Sequence, residues 1–410
     1  MFEFFEKVAK GIGFKLIDNF SDKVEEWIKG IFENCQNASS GDYAKNASSG
    51  DGAKNASSGY GAKNASSGDG AKNASSGDCA QNASSGYGAQ NASSGDCAKN
   101  ASSGYGAQNA SSGDCAQNAS SGYGAKNASS GYGAQNASSG DCAQNASSGD
   151  YAKNASSGYG AQNASSGDYA KNASSGYGAQ NASSGDYAQN VISGKNSICF
   201  DCGYKGTIKA AKGTWIALTE FKIDNNDKKI PVFAKTAQIG NKEYTDMRKR
   251  ILKSNTEYIL WNKEFCEVVE IDGIRSIILS EKKRDNVKII KAVDIRDICK
   301  QEKDQVETMY IATEGEISAH GYTVREAIDD LTYKKLDNVD SGEIIAEIKR
   351  TGKVTRSQYR ALTGACSFGT NKFCEEHNIQ DLEEIEISEL RKILINDYGA
   401  ERFWDLIDNN

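Results

Sequence analysis

Three things are scarce in this 410-residue sequence. No apolar run is long enough for a secretion signal or a membrane span. Histidine occurs only twice, so His320 is half of the chain's supply for acid–base chemistry near neutral pH. Charge of one sign is also missing. The net charge is −7, and it is spread: residues 1–36 hold five Lys against seven acids, 37–189 hold eight Lys against ten Asp, and 190–410 hold 35 basic against 38 acidic residues. No segment is a basic surface on average, which disfavours nonspecific binding to polyanions. The eleven cysteines are an odd number, several of them in a repeat, and with no signal segment they point to a reducing cytosol.

What the chain has in abundance is one unit. From Asn37 to Gln189 a nonapeptide N-A-S-S-G-[DY]-[YGC]-A-[KQ] recurs seventeen times without a gap, and a fixed period decides architecture before any local reading does. Ser-Gly-Asp or Ser-Gly-Tyr marks a corner, where glycine is expected to supply a positive φ. One unit is then one corner and one short strand. Nine residues cannot close a coil around an interior, so two units form an eighteen-residue coil. The spacing of Cys79, Cys97 and Cys115, and of Tyr87, Tyr105 and Tyr123, supports the pairing: one face stacks Asp-Cys, the other Tyr-Gly. The terminal Lys or Gln must face water, which turns Ala44 and Asn46 inward. Such a core is thin, so stability is expected from backbone ladders and stacked identical side chains.

The unit also invites sharper readings. Calcium-binding nonapeptides use two glycines and an aspartate, and this unit has one glycine. N-A-S matches a glycosylation acceptor, an accident of the repeat in a chain without a secretion signal. A flat polar array suits an ice-binding solenoid, although serine and a charged last position fit that role poorly.

The flanks differ from the repeat. Residues 1–36 carry Phe2, Phe4, Phe5, Val8 and Ile12, then Val24, Trp27, Ile28, Ile31 and Phe32 at amphipathic-helix spacing behind Ser21 as N-cap. They are expected to form a helical cap over the end of the solenoid and offer a route to a homo-oligomer; their negative charge argues against a membrane surface. The rod is expected over 37–214, its last coils (190–214) degenerate. An α+β domain follows over 215–336, with strands at Trp215–Phe221, Pro231–Ile239, Glu257–Trp261, Cys266–Ile271, Ser276–Ser280 and Val287–Val293 and a turn at Asp272-Gly273. Arg248, Lys249, Arg250 and Lys253 read as a solvated helical face. A small helical domain fills 337–410, one helix opened by the capping box Thr355–Gln358.

The repeat, G-T-W-I-A-L-T-E at 213–220 and A-H-G-Y-T-V-R-E-A-I-D-D-L at 319–331 together resemble a family of phage and prophage-associated proteins. In these, glycine-rich nonapeptides such as A-S-A-T-G-D-Y-G-A precede a domain of unknown function. The Y-R-A-L-T-G-A-C segment at 359–366 is similar to their C-terminal module. The resemblance implies a phage-derived protein and supplies no reaction, and its members place alanine where this unit has asparagine.

Few residues suggest chemistry. His320 and Cys366 are the candidates for a catalytic pair. Cys199-x-x-Cys202 and Cys374-x-x-His377 have zinc-ligand spacings. Arg356, Arg360 and Lys372 could contact phosphates if the helices around Gly364 form a helix-turn-helix. The reading that fits most residues is a mainly β, non-enzymatic interaction or scaffold protein without cofactor, binding a host or viral protein through its C-terminal part. A nucleic-acid-binding regulator and a Cys/His enzyme are the alternatives.

Overall fold

A computed structural model describes residues 37–410 except 225, 299–305, 337–339, 366, 381, 396–398 and 410, and of 367–369 and 409 the backbone alone. The expected cap over 1–36 and the candidate Cys366 lie outside the described residues.

The repeat is a parallel β-solenoid of about ten turns. Each strand runs from the last residue of one unit to the third of the next, as in Lys54–Ser57 and Lys63–Ser66. Successive strands alternate between two sheets. A first sheet starts at Asn37–Ser39 and a second at Lys45–Ser48. The partner of every repeat residue is its equivalent eighteen positions on, Asn37 opposite Asn55 and Lys45 opposite Lys63, so the coil is two units.

Inside, Ala62, Asn55 and Ser57 are fully buried, and so little apolar surface is available that hydrogen bonding organises the core. The asparagines form one ladder per sheet. Asn64 Nδ2 donates to Asn82 Oδ1 at 3.0 Å, to the Ala74 carbonyl at 2.7 Å and to Ser57 Oγ at 3.0 Å. The same pattern recurs along the rod with every amide pointing the same way, an arrangement in which neighbouring bonds polarise one another. Asparagine both faces inward and fastens each coil to the next.

The corner glycine serves a different purpose from the one expected. It does not take a positive φ; the left-handed residue is the seventh of the unit, Cys97 at φ 54°, Tyr43 at 55° and Gly106 at 64°. Glycine is required at the fifth position because the corners stack in contact. A Cβ on Gly113 would stand 2.1 Å from the carbonyl oxygen of Gly95 in the preceding coil. Beside these corners Cys79, Cys97 and Cys115 follow one another as free thiols. On the other edge Tyr87, Tyr105 and Tyr123 stack with ring centroids 5.1 Å apart.

The closing coils, Gln189–Ile192, Ile198–Asp201 and Thr207–Ala210, replace small residues by bulky ones. Trp215–Ile223 then adds in parallel beside Ile198–Asp201, while Glu257–Trp261 pairs antiparallel with the last strand of the second sheet, Ile208 opposite Tyr258. Ile192, Cys199, Ile208, Ile216, Tyr258 and Phe265 form one apolar core there. Residues 215–268 therefore finish the rod, and the chain divides into compact units at Val268/Val269 rather than at 214/215. The basic cluster is a turn and not a helical face: the Arg250 guanidinium bonds the buried Asp246 at 2.6 Å and also Glu267.

The second unit begins with antiparallel strands Ile274–Arg284, Val287–Asp294, Met309–Glu314 and Ile317–Gly321, one face of which is covered by helix Val324–Leu336 through Ala327 and Leu331. Helices Ser341–Thr351, Arg356–Thr363, Ser367–Glu376, Ile387–Ile393 and Ala400–Asn409 follow. Their core includes Ile348, Leu362 and Phe403. The Thr355–Gln358 capping box forms, Thr355 Oγ1 accepting from the Gln358 amide. Ser357 Oγ donates to the Asp329 carbonyl at 2.8 Å, so helix Val324–Leu336 packs with the helical module across the expected 336/337 boundary.

Candidate interaction surfaces

The outward face of the rod's second sheet is a strip of small side chains. Its exposed alanines run from Ala47 to Ala173, each followed by an outer serine such as Ser49 or Ser67, and they floor a shallow groove of about 1140 Å³. Strand alternation puts Lys63 and Lys99 on the same face as these alanines, so ammonium groups stand beside methyls and hydroxyls.

In the second unit a cleft of about 490 Å³ opens among residues 354–394. Val354, Tyr359, Phe373, Leu382, Ile385 and Leu390 supply apolar walls. Arg356, Lys372, Glu376 and Glu384 bring charges of both signs to it. The two-stranded sheet Lys353–Thr355 with Glu384–Glu386 holds one wall in place, Val354 opposite Ile385. Arg356 is itself held: its guanidinium donates to the carbonyls of Gln380 and Leu382 and lies 3.8 Å from the Asp329 carboxylate. Burial raises the Asp329 pKa from the ordinary carboxylate value, and Arg356 partly offsets it. The Cys374 thiol in the same cleft is buried, which pushes its pKa upward and keeps it protonated.

The other candidates are placed as follows. His320 Nδ1 sits 2.5 Å from Asp272 Oδ2, and Lys334 bonds the second oxygen of the same carboxylate. This trio joins the Asp272-Gly273 turn, the last strand and the following helix. From sequence Asp272 reads only as a turn residue and Lys334 carries no signal, since they come together across 62 positions. Cys199 is fully buried beside Asp201, and desolvation holds its thiol well above the usual pKa, whereas zinc takes a thiolate. Cys202 packs near Ala217 and Ala234. Cys374 and His377 belong to the second unit, where His377 lies against the Phe373 ring. No three His, Cys, Asp or Glu side chains gather into a ligand set among the described residues.

Of the proposed phosphate contacts, Arg360 is 7% exposed. It donates to the Ala365 carbonyl, pairs with Asp330 and covers the Tyr333 ring. With Arg356 engaged as described, Lys372 is the one of the three that extends into solvent. The two arginines have packing roles. Among the described residues no helix is long and apolar enough to cross a membrane. No family model, no curated protein and no solved structure matches the chain.

Proposed function

We propose that this is a non-enzymatic interaction protein, a rigid rod bearing a C-terminal module that captures a segment of a partner protein. The cleft over residues 354–394 carries this reading. Its apolar walls, with both signs of charge beside them, suit an apolar peptide side chain flanked by polar backbone. The one thiol known in it, Cys374, is buried and protonated, a poor nucleophile. Outside the cleft, His320 is already engaged by Asp272. In keeping with the phage-like repeat, the partner is taken to be a host or viral protein. The solenoid then acts as a spacer, since its stiffness comes from in-register ladders and extends by one strand spacing per coil.

The test uses the full chain as bait in three forms: unchanged, with Leu382→Asp in the cleft, and with Lys63→Glu on the rod. Leu382 is 44% exposed, so the charge is not forced into a core. A partner retained by the first and third baits and lost by the second supports the reading. Equal retention by all three rules out the cleft.

A further inference from the structure

The seventh residue of the unit forms a column along each edge of the rod, one side chain per coil. Cys79, Cys97 and Cys115 hold three consecutive places in one such column, and after Gly133 it continues with Tyr151 and Tyr169. The two tyrosines measure its repeat. Their ring centroids lie 4.9 Å apart and their planes within 6° of parallel, so equivalent side chains pass from coil to coil by a nearly pure translation. The three cysteines share one backbone conformation, with φ of 57°, 54° and 54°. The Cys79 and Cys97 amides donate to the carbonyls of Asp96 and Asp114 in the next coil, both at 2.7 Å. Three free thiols therefore leave identical corners at a fixed interval.

That interval decides what two neighbouring thiols can hold between them. A disulfide needs Cβ atoms about 3.5–4.5 Å apart and sulfurs at about 2.05 Å, which this column offers only if two coils are squeezed together. An ion held linearly between two thiolates, at a metal–sulfur length of about 2.3 Å, spans about 4.6 Å, close to the repeat of the column. We propose that Cys79, Cys97 and Cys115 form a site for soft, two-coordinate monovalent cations of the copper(I) or silver(I) class, Cys97 being shared by two ions. Thiolate donors select such ions over harder ones. Among the described residues no three donors converge on one point, which sets aside a tetrahedral ion and leaves linear coordination. Asp78, Asp96 and Asp114 precede the thiols in the same corners, and their row of negative charge draws cations to this edge. Filling the column releases three protons to solvent. Cys79 and Cys115 each form one sulfur–metal bond and Cys97 forms two, so three thiolates and two monovalent ions carry one net negative charge and no oxidation state changes. Desolvation, then the Cys115 and Cys79 thiols, raise the Cys97 pKa, so the ion competes with a proton there and binding strengthens as pH rises.

Silver(I) nitrate added without air to the reduced full chain tests this, with gel filtration in a buffer containing free methionine as a competing thioether to remove loosely held ions. Retained silver is then counted per chain, and sulfur-to-metal absorption in the ultraviolet reports thiolate binding. The count should depend on the place of a cysteine in the column. Cys97→Ser leaves Cys79 and Cys115 two coils apart, too far to share an ion, and should retain two ions fewer than wild type. Cys79→Ser keeps the neighbouring pair Cys97 and Cys115 and should retain one fewer. Cys142 stands on the opposite edge with glycine above and below it in its column, Gly124 and Gly160, and donates to Tyr123 Oη at 3.6 Å. Cys142→Ser should retain as many as wild type. Serine is nearly isosteric with cysteine, so the rod's β-signal in circular dichroism should be the same in all four proteins. Equal losses in Cys97→Ser and Cys79→Ser, as independent thiols would give, would overturn the proposal, and so would a loss in Cys142→Ser equal to that in Cys97→Ser.

Discussion

Asn190 Nδ2 donates to Asp201 Oδ2 at 2.9 Å inside the rod, where the second-sheet asparagine ladder runs out. Seen along the rod, each amide donates forward to the next, so the ladder ends on a donor that needs an acceptor, and the carboxyl of Asp201 supplies it. Its other oxygen accepts from the Gly203 amide at 3.0 Å. Burial raises the Asp201 pKa well above the ordinary carboxylate range, against the lowering effect of bonds from Gly203, Ser183 and Asn190. The residue that terminates the ladder is thus also the one that makes the rod's end sensitive to pH.

The sign of that sensitivity follows. With the folded pKa above the unfolded value of about 3.9, the native state binds more protons between the two, and stability falls as pH rises through that window. Asp201→Asn should flatten the fall, and Asp201→Ala, which leaves Asn190 and Gly203 without their acceptor, should cost about 1–3 kcal/mol. Melting curves from pH 4 to 8 check both. A wild-type slope unchanged in Asp201→Asn would remove this residue from the account.

Two glycines in neighbouring units should respond differently to the same methyl. Gly113→Ala places a Cβ 2.1 Å from a backbone oxygen and must push two coils apart, an overpacking cost of about 3 kcal/mol. Gly106→Ala meets no atom within 4 Å and only forces alanine into a left-handed residue, at about 1 kcal/mol. Denaturant titration of the two variants should rank them in that order.

Removing residues 91–108 takes out one whole coil and leaves every later strand on its own sheet. The shorter deletion of 91–99 transfers every later strand to the opposite sheet, because partners lie eighteen residues apart. It should be the more damaging cut, lowering the melting temperature while the longer one barely moves it. Equal melting for the two would contradict the two-unit coil.

Arg360 and Lys372 separate packing from nucleic-acid contact. Arg360→Ala strips Asp330 and Tyr333 of their partner and should destabilise the second unit by about 3 kcal/mol. Lys372→Ala, at an exposed site with a 3.8 Å partner in Glu376, should be neutral to stability. Neither is expected to reveal salt-dependent DNA binding, and a shift of duplex DNA lost in Lys372→Ala would reinstate the regulator reading.

The sequence by itself determined the period, the two-unit coil, the inward asparagine, most strands of 215–321 and the capping box at Thr355. All are readable because they depend on local spacing, on alternation along a strand or on a cap within one turn. Tertiary structure decided the rest. The need for glycine at the corner arises from the coil below it, which stands eighteen residues away, so a reading of local turns assigned it a positive φ that Cys97 or Tyr43 takes instead. Arg250, Arg356 and Arg360 look like free cations in one dimension, and each is claimed by a carboxylate brought to it by folding. His320 meets Asp272 across 48 positions of chain. Such contacts exist only between surfaces, and surfaces are assembled from parts of the chain that no local pattern connects.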